Sequence, residues 1–211
     1  MFISVTIRGV TPLLMNRFTA DKAVKEDGTP VMAGEPGTPR EQAAVKRYYD
    51  DNGHLFIPGA SIFACLIAAG KFQKVGKSKL TTMKTSLVPA GLAVEELDCL
   101  LHTPEGDPIT EWEVDSRSVV VPSTGGRIMC HRPRIDRWDC TYTLDIDSEM
   151  FTQNVVRKLV DDGGKKIGLC DYRPSRKGPF GRYVVVNWVT LEKSTLQTED
   201  IEDARATQVA A

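Results

Sequence analysis

Leu55-Phe56-Ile57-Pro58-Gly59-Ala60-Ser61-Ile62 sets the plan of this chain. A short apolar run over residues 54–57 has the look of a strand, and Pro58-Gly59 turns it sharply. Beyond the turn, Ile62, Cys65, Leu66 and Ala69 recur at helical spacing, so the main core helix is expected from about residue 60 to Gly70. A strand feeding directly into a helix also aims the first amide groups of that helix at whatever lies above the turn, a geometry suited to phosphate. A simple capped turn is the competing reading.

On the N-terminal side, residues 2–8 (FISVTIR) alternate apolar and polar and predict a strand, closed by Gly9 and Pro12. Residues 27–39 are rich in Gly and Pro and predict an exposed loop. Thr38-Pro39-Arg40-Glu41 has the form of a capping box with Pro at the first helical position, so a helix is expected over 39–49, stopped by Asp50-Asp51-Asn52-Gly53.

On the C-terminal side, strands are expected near 86–97, 110–121 and 127–146, the last two joined as a long hairpin around Pro122-Ser123-Thr124-Gly125-Gly126. Val155, Val156, Leu159 and Val160 predict a second helix over 152–161, with Gly163-Gly164 as its stop. Residues 182–191 (RYVVVNWVTL) give the clearest strand. This order is that of an α+β, ferredoxin-like split βαβ fold, which leaves one sheet face free of helices, as in RNA-recognition modules. A single domain is expected over 1–191, with insertions at about 16–53 and 98–138 and an acidic, frayed tail over 192–211.

The net charge of −1 hides strong segregation. Residues 52–94 contain no Asp or Glu, and Lys71, Lys74, Lys77, Lys79 and Lys84 give that stretch +5. Residues 91–115 carry Glu95, Glu96, Asp98, Glu105, Asp107, Glu111, Glu113 and Asp115 with no Lys or Arg. A basic face and an acidic face therefore coexist in a nearly neutral chain.

Two further basic segments stand out. In residues 165–182, Lys165, Lys166, Arg173, Arg176, Lys177 and Arg182 oppose Asp171 alone, and Tyr172 and Phe180 offer rings for base stacking. In residues 127–138, Arg127, Arg132, Arg134 and Arg137 accompany His131; arginine suits phosphate through its bidentate fork. The competing reading is an arm whose cations pair with Asp136, Asp139 and the acidic segment.

Chemistry is sparsely encoded. His54, His102 and His131 are scattered without zinc-site spacing, and there is no P-loop, nucleophile elbow or dinucleotide fingerprint. No cofactor, metal or catalytic residue is expected, and the protein reads as a binder, not an enzyme. The cysteines (Cys65, Cys99, Cys130, Cys140, Cys170) form an odd set without a C-x-x-C pair and read as buried free thiols. No apolar run approaches the ~20 residues of a membrane span, and the N-terminus lacks the pattern of a signal peptide, so a cytoplasmic protein is expected.

Three islands, in order, resemble the RAMP superfamily, which includes the backbone subunits of CRISPR effector complexes. They are Ile7-Arg8-Gly9-Val10-Thr11-Pro12-Leu13-Leu14, the Ile57-Pro58-Gly59-Ala60-Ser61 turn, and Gly178-Pro179-Phe180-Gly181-Arg182-Tyr183-Val184. The second is similar to the family's I-P-G-S-S-[LI] turn, the third to its G-[FY]-G-R-[VF] ending. The resemblance implies a subunit lying along single-stranded RNA or DNA, each copy touching its neighbour head to tail, with other ribonucleoprotein subunits as further partners. It places nucleic-acid contacts at Pro58, Gly59 and Ser61, at Lys71 and Lys74, and over residues 178–182, with a hairpin over 117–138 as a thumb. The interface expected on all these grounds comprises Pro58, Gly59, Ser61, Lys71, Lys74, Lys77, Lys79, Arg127, His131, Arg132, Arg134, Arg173, Arg176, Lys177, Phe180 and Arg182. Some members cut RNA with an Asp after the first strand, the region of Asp21 and Asp27. A ribonuclease using one of these or His131, and a protein-interaction or decoy module, are the alternatives. The short chain and shortened glycine run point to a compact, stand-alone member of phage or plasmid origin, connected with antiviral defence and outside a standard effector.

Overall fold

A computed structural model describes residues 1–18, 37–120 and 124–191. Strand β1 (Phe2–Gly9) buries Ile3, Val5 and Ile7 completely and is followed by the two-residue strand β2 (Leu13–Leu14). Helix α1 (Pro39–Ala44) begins on the expected capping box, Thr38 and Glu41 bonding each other's backbone. It ends five residues earlier than expected. Lys46 and Arg47 close three-residue turns, and residues 48–55 fold back over Asp50, whose Oδ1 accepts from the Asn52 and His54 amides.

Strand β3 (Phe56–Pro58) runs without a break into helix α2 (Gly59–Ala69), which buries Ile62, Cys65, Leu66 and Ala69 as the spacing requires. The lysine-rich tract forms a small hairpin, β4 (Lys74–Val75) and β5 (Ser78–Lys79). Where a strand was expected over 86–97, Pro89 instead starts a single helical turn, α3 (Val88–Gly91), and only β6 (Leu92–Val94) is extended. The acidic stretch contributes β7 (Asp98–His102), which was not expected from the sequence and buries Cys99 and Leu101.

The long strand expected over 127–146 is two strands in two sheets. β8 (Glu113–Val120) and β9 (Arg127–Ile135) form an arm with β2, whereas β10 (Asp139–Ile146) lies at the centre of the main sheet. The break is fixed by Trp138, fully buried with its Nε1–H donating to the Thr11 carbonyl. The hairpin turn at Pro122-Ser123 and the tail over 192–211 lie outside the described residues, as does the loop over 27–36.

Helix α4 (Gln153–Asp162) does not stop at Gly163-Gly164 as expected. It widens into a π turn over Gly163–Ile167 and ends at Gly168, with φ +76°. Both glycines are buried under β11 (Tyr183–Leu191), and a Cβ on Gly164 would meet the Tyr183 carbonyl at 2.1 Å. They are glycine to admit a strand, not to end a helix.

The main sheet runs β11-β1-β10-β7-β3, with β6 also on β10, and its pairings are all antiparallel. α2 and α4 share one core with one sheet face, through Val5, Ile7, Tyr142 and Leu144 against Leu66, Val156 and Leu159. The architecture is α+β with antiparallel sheets. The opposite sheet face carries Ser4, Thr6, Thr141 and Thr143 in register. Beside this hydroxyl row, β11 sets the exposed Val189 against Ser4 and the exposed Val184 against Arg8. Among the described residues, no helix is long and apolar enough to cross a membrane. All five cysteines are free; Cys65, Cys99 and Cys140 are buried as expected, while Cys130 and Cys170 are only partly so.

Candidate nucleic-acid interface

A groove of about 250 Å³ runs between α2 and the loop that follows the π turn. Its floor is a row of short side chains on α2, Ser61, Ala64, Cys65 and Ala68. Its wall is the loop from Ile167 to Ser175, and Asn16 and Tyr48 close one end. Two segments far apart in sequence, the strand-to-helix turn and the basic loop, thus meet in one concave surface.

In the turn, the first amide of the helix is already engaged within the fold. The Gly59 amide donates to the Leu97 carbonyl at 2.7 Å, and a Cβ on Gly59 would fall 2.0 Å from the Glu96 carbonyl. Gly59 is consumed by the β6–β7 corner, and Pro58 pairs with Asp98. Of the three turn residues named from sequence, only Ser61 lines the groove.

The loop is tightly self-bonded. Leu169 N–H donates to Gly181 O at 2.9 Å, Gly181 N–H to Pro12 O at 2.8 Å, and Gly178 N–H to Arg173 O at 3.0 Å. Its glycines admit the loop's own backbone, a Cβ on Gly178 falling 1.8 Å from Tyr172 O, and not an approaching strand. Arg173 is held at the groove wall by Ser175 Oγ, 3.0 Å from Nε, and by the Cys170 carbonyl. Arg176, Lys177 and Arg182 are exposed; Arg182 reaches back to Lys165 O at 3.0 Å. Phe180 is not available for stacking on a base. It is 7% exposed, Arg117 lies 4.8 Å above its ring, and Tyr172 lies 6.0 Å away. Burial pushes the Cys65 thiol up to about 11 and the Cys170 thiol up to about 12, so neither adds negative charge to the groove near neutrality.

The small-residue row ends at Ala68; one turn beyond it comes Lys71, followed by the β4–β5 hairpin. Phe72 packs under Lys166 at 4.4 Å, and Gln73 bonds Asp162. Lys74 stands directly across from Lys79 in this hairpin. Lys71, Lys74, Lys77 and Lys79 are all exposed, and among the described residues none has an ion-pair partner. Opposed like charges on a two-strand ribbon are unfavourable, and a bound anion relieves them.

The β8–β9 arm behaves differently. Arg132 is 7% exposed, with Nε 2.6 Å from Asp171 Oδ2. Arg134 pairs with Asp136 and Arg137 with Glu105 at 2.7 Å. His131 Nδ1 bonds Ser116 Oγ at 2.7 Å, and its carbonyl accepts from Lys46 Nζ at 2.7 Å. Of the arm residues expected at the interface, Arg127 alone is exposed and without a partner among the described residues; Arg132 and Arg134 serve the fold. Arg132 also lines a cavity of about 450 Å³ with Arg117, Val119 and Tyr172. Asp21 and Asp27 lie outside the described residues.

Asn16, Tyr48, Asp171 and Ser175 line the groove and were not singled out from sequence. Asp171 alone had a signal there, as the one acid among six cations.

Neither protein-family models nor curated proteins match this sequence. Among solved structures, the chain is similar to a chain of the "Cryo-EM structure of the Type III-B Cmr-beta bound to cognate target RNA". The TM-score is 0.49 and the identity 10%, over 90% of this chain and 60% of that one. This chain therefore spans less than two thirds of the length of its neighbour.

Proposed function

We propose that the protein binds single-stranded nucleic acid along the groove beside α2 and onto the β4–β5 hairpin, without chemistry of its own. The observation that carries this reading is the continuity of the two. A groove floored by short side chains and walled by Arg173 ends on α2 at Ala68, one turn before the first of four exposed lysines that have no ion-pair partner among the described residues. Short side chains let a sugar-phosphate backbone approach the helix, and unpaired lysines neutralise its phosphates. From Ser61 to Lys71 is on the order of 15 Å along the helix axis, room for a few nucleotides.

The strand order β11-β1-β10-β6/β7, antiparallel and with both helices packed on one face, supports the ferredoxin-like assignment and with it the RAMP resemblance. Head-to-tail assembly along the strand is supported by the charge distribution about α2. Its first amide touches the corner bearing Glu95, Leu97 and Asp98, with Leu97 85% exposed, and its other end leads to the lysines. Opposite poles of one element dock as a heterologous contact that does not close.

The test is titration of single-stranded oligonucleotides at two salt concentrations, with gel filtration of the mixtures. Salt-dependent binding and species growing with oligonucleotide length are expected. A monomer indifferent to RNA and DNA at low salt would overturn the reading in favour of a protein partner.

A further inference from the structure

The β4–β5 hairpin presents Lys71, Lys74, Lys77 and Lys79 to solvent, with Lys74 set against Lys79 and no acid anywhere in residues 52–94. Between these cations stand the exposed apolar side chains Phe72 and Val75. Beyond the end of β11 at Leu191, the sequence holds the complement of that pattern: Glu199, Asp200, Glu202 and Asp203, with Ile201 at the centre of the row. Opposed like charges on the hairpin are relieved by a run of carboxylates as they are by phosphates.

The fold brings the two within reach of each other. Thr190 Oγ1 accepts from Gln153 Nε2 at 3.0 Å, so β11 finishes beside the first residue of α4. Gln73 bonds Asp162, the last residue of α4, so the hairpin springs from the other end of the same helix. The ten residues of α4 span about 15 Å. Residues 192–198, which separate β11 from the first of the four acids, cover up to about 25 Å as an extended chain. A segment tethered at that range meets the lysines at an effective concentration on the order of millimolar, so several exposed ion pairs, each weak alone, suffice to hold it.

We infer that residues 199–203 dock on the β4–β5 hairpin of their own chain and compete there with nucleic acid, so that a strand binds by displacing them. The competition rests on the proposed binding function; the docking does not.

Carbodiimide crosslinking of the full chain tests the docking without any ligand, because it joins a carboxylate directly to a lysine amine. Peptides carrying Glu199–Asp203 are expected to be joined to Lys71, Lys74, Lys77 or Lys79 at low salt and to be lost at high salt. In a mixture of isotopically labelled and unlabelled protein the joined peptides are expected to come from one chain. Crosslinks from these lysines to Glu95, Glu96 or Asp98 in place of the tail, tail crosslinks spread evenly over other lysines, or crosslinks only between chains overturn the inference.

The competition is read on a full-chain variant carrying Glu199→Gln, Asp200→Asn, Glu202→Gln and Asp203→Asn. It is expected to bind a single-stranded oligonucleotide on the order of tenfold more tightly than the wild type at low salt, the two affinities converging as salt rises. Equal low-salt affinities overturn the competition and leave the binding function standing. If neither protein binds oligonucleotides, the binding function and the competition fall together, and crosslinking alone decides the docking.

Discussion

The β4–β5 hairpin and the β8–β9 arm are both basic ribbons projecting from the same core, yet their charges are spent in opposite ways. In the arm, Arg117, Arg132 and Arg134 each find an acid, and His131 finds a serine. In the hairpin, Lys74 faces Lys79, and among the described residues neither has an ion-pair partner. Cations alternating with acids at short sequence spacing, as in Arg134-Ile135-Asp136, neutralise one another when the backbone is extended, because side chains two residues apart share a face. Cations in a stretch devoid of acid have no such recourse and stay available to a ligand. Local acid content, more than the number of cations, separates a binding surface from a structural one.

The contrast predicts opposite phenotypes. Arg132→Ala should destabilise the fold by about 2–3 kcal/mol, below the full cost of breaking a buried pair because Asp171 is partly exposed, as read by chemical denaturation. Stability unchanged by that substitution would show that the arm's arginine is not structural. Gly59→Ala should cost about 1–3 kcal/mol through the clash with the Glu96 carbonyl, while oligonucleotide affinity per folded molecule is retained. A large affinity loss with normal stability would restore the turn to the interface.

Lys71→Ala with Lys74→Ala should leave the melting temperature nearly unchanged and lower the salt slope of single-strand binding by about 1.4, from two lost phosphate contacts. Arg173→Ala with Arg176→Ala should weaken binding in the same assay. An unaltered slope in both double variants would remove the proposed surface. Lys74→Glu separates the two properties within one residue. By pairing with Lys79 it should stabilise the hairpin by about 0.2–1 kcal/mol and still weaken binding.

The smallest effect concerns the thiols of the groove. Cys65 and Cys170 are raised to about 11 and about 12, against an ordinary 9 expected in the unfolded chain. Their contribution to stability is full below pH 9 and is lost as the pH climbs towards those values, because the unfolded thiols ionise first. Cys65→Ala with Cys170→Ala should make the alkaline decline in stability shallower.

Where burial follows simple periodicity, the sequence was sufficient. The alternation of Ile3, Val5 and Ile7, the spacing of Ile62, Cys65, Leu66 and Ala69, and the Thr38–Glu41 box all formed the elements they encode. Errors came where a residue's usual meaning was overridden by a neighbour distant in sequence. Gly163-Gly164 read as a helix stop because β11, the strand packed on them, lies twenty residues onward. Residues 127–146 read as one strand because only the burial of Trp138 shows that the chain changes sheets there.

Sequence alone therefore determined β1, the start of α1, the core helix α2, the α+β class and the segregation of charge, since each depends on residues within a few positions of one another. Tertiary structure decided which charges remain available. An ion pair such as Arg132–Asp171 joins positions thirty-nine residues apart, and only the packed fold brings them within 2.6 Å. It also decided that Ser61 and Arg173, on different elements, line one groove, because concavity belongs to the packing of α2 against the loop and to neither segment alone.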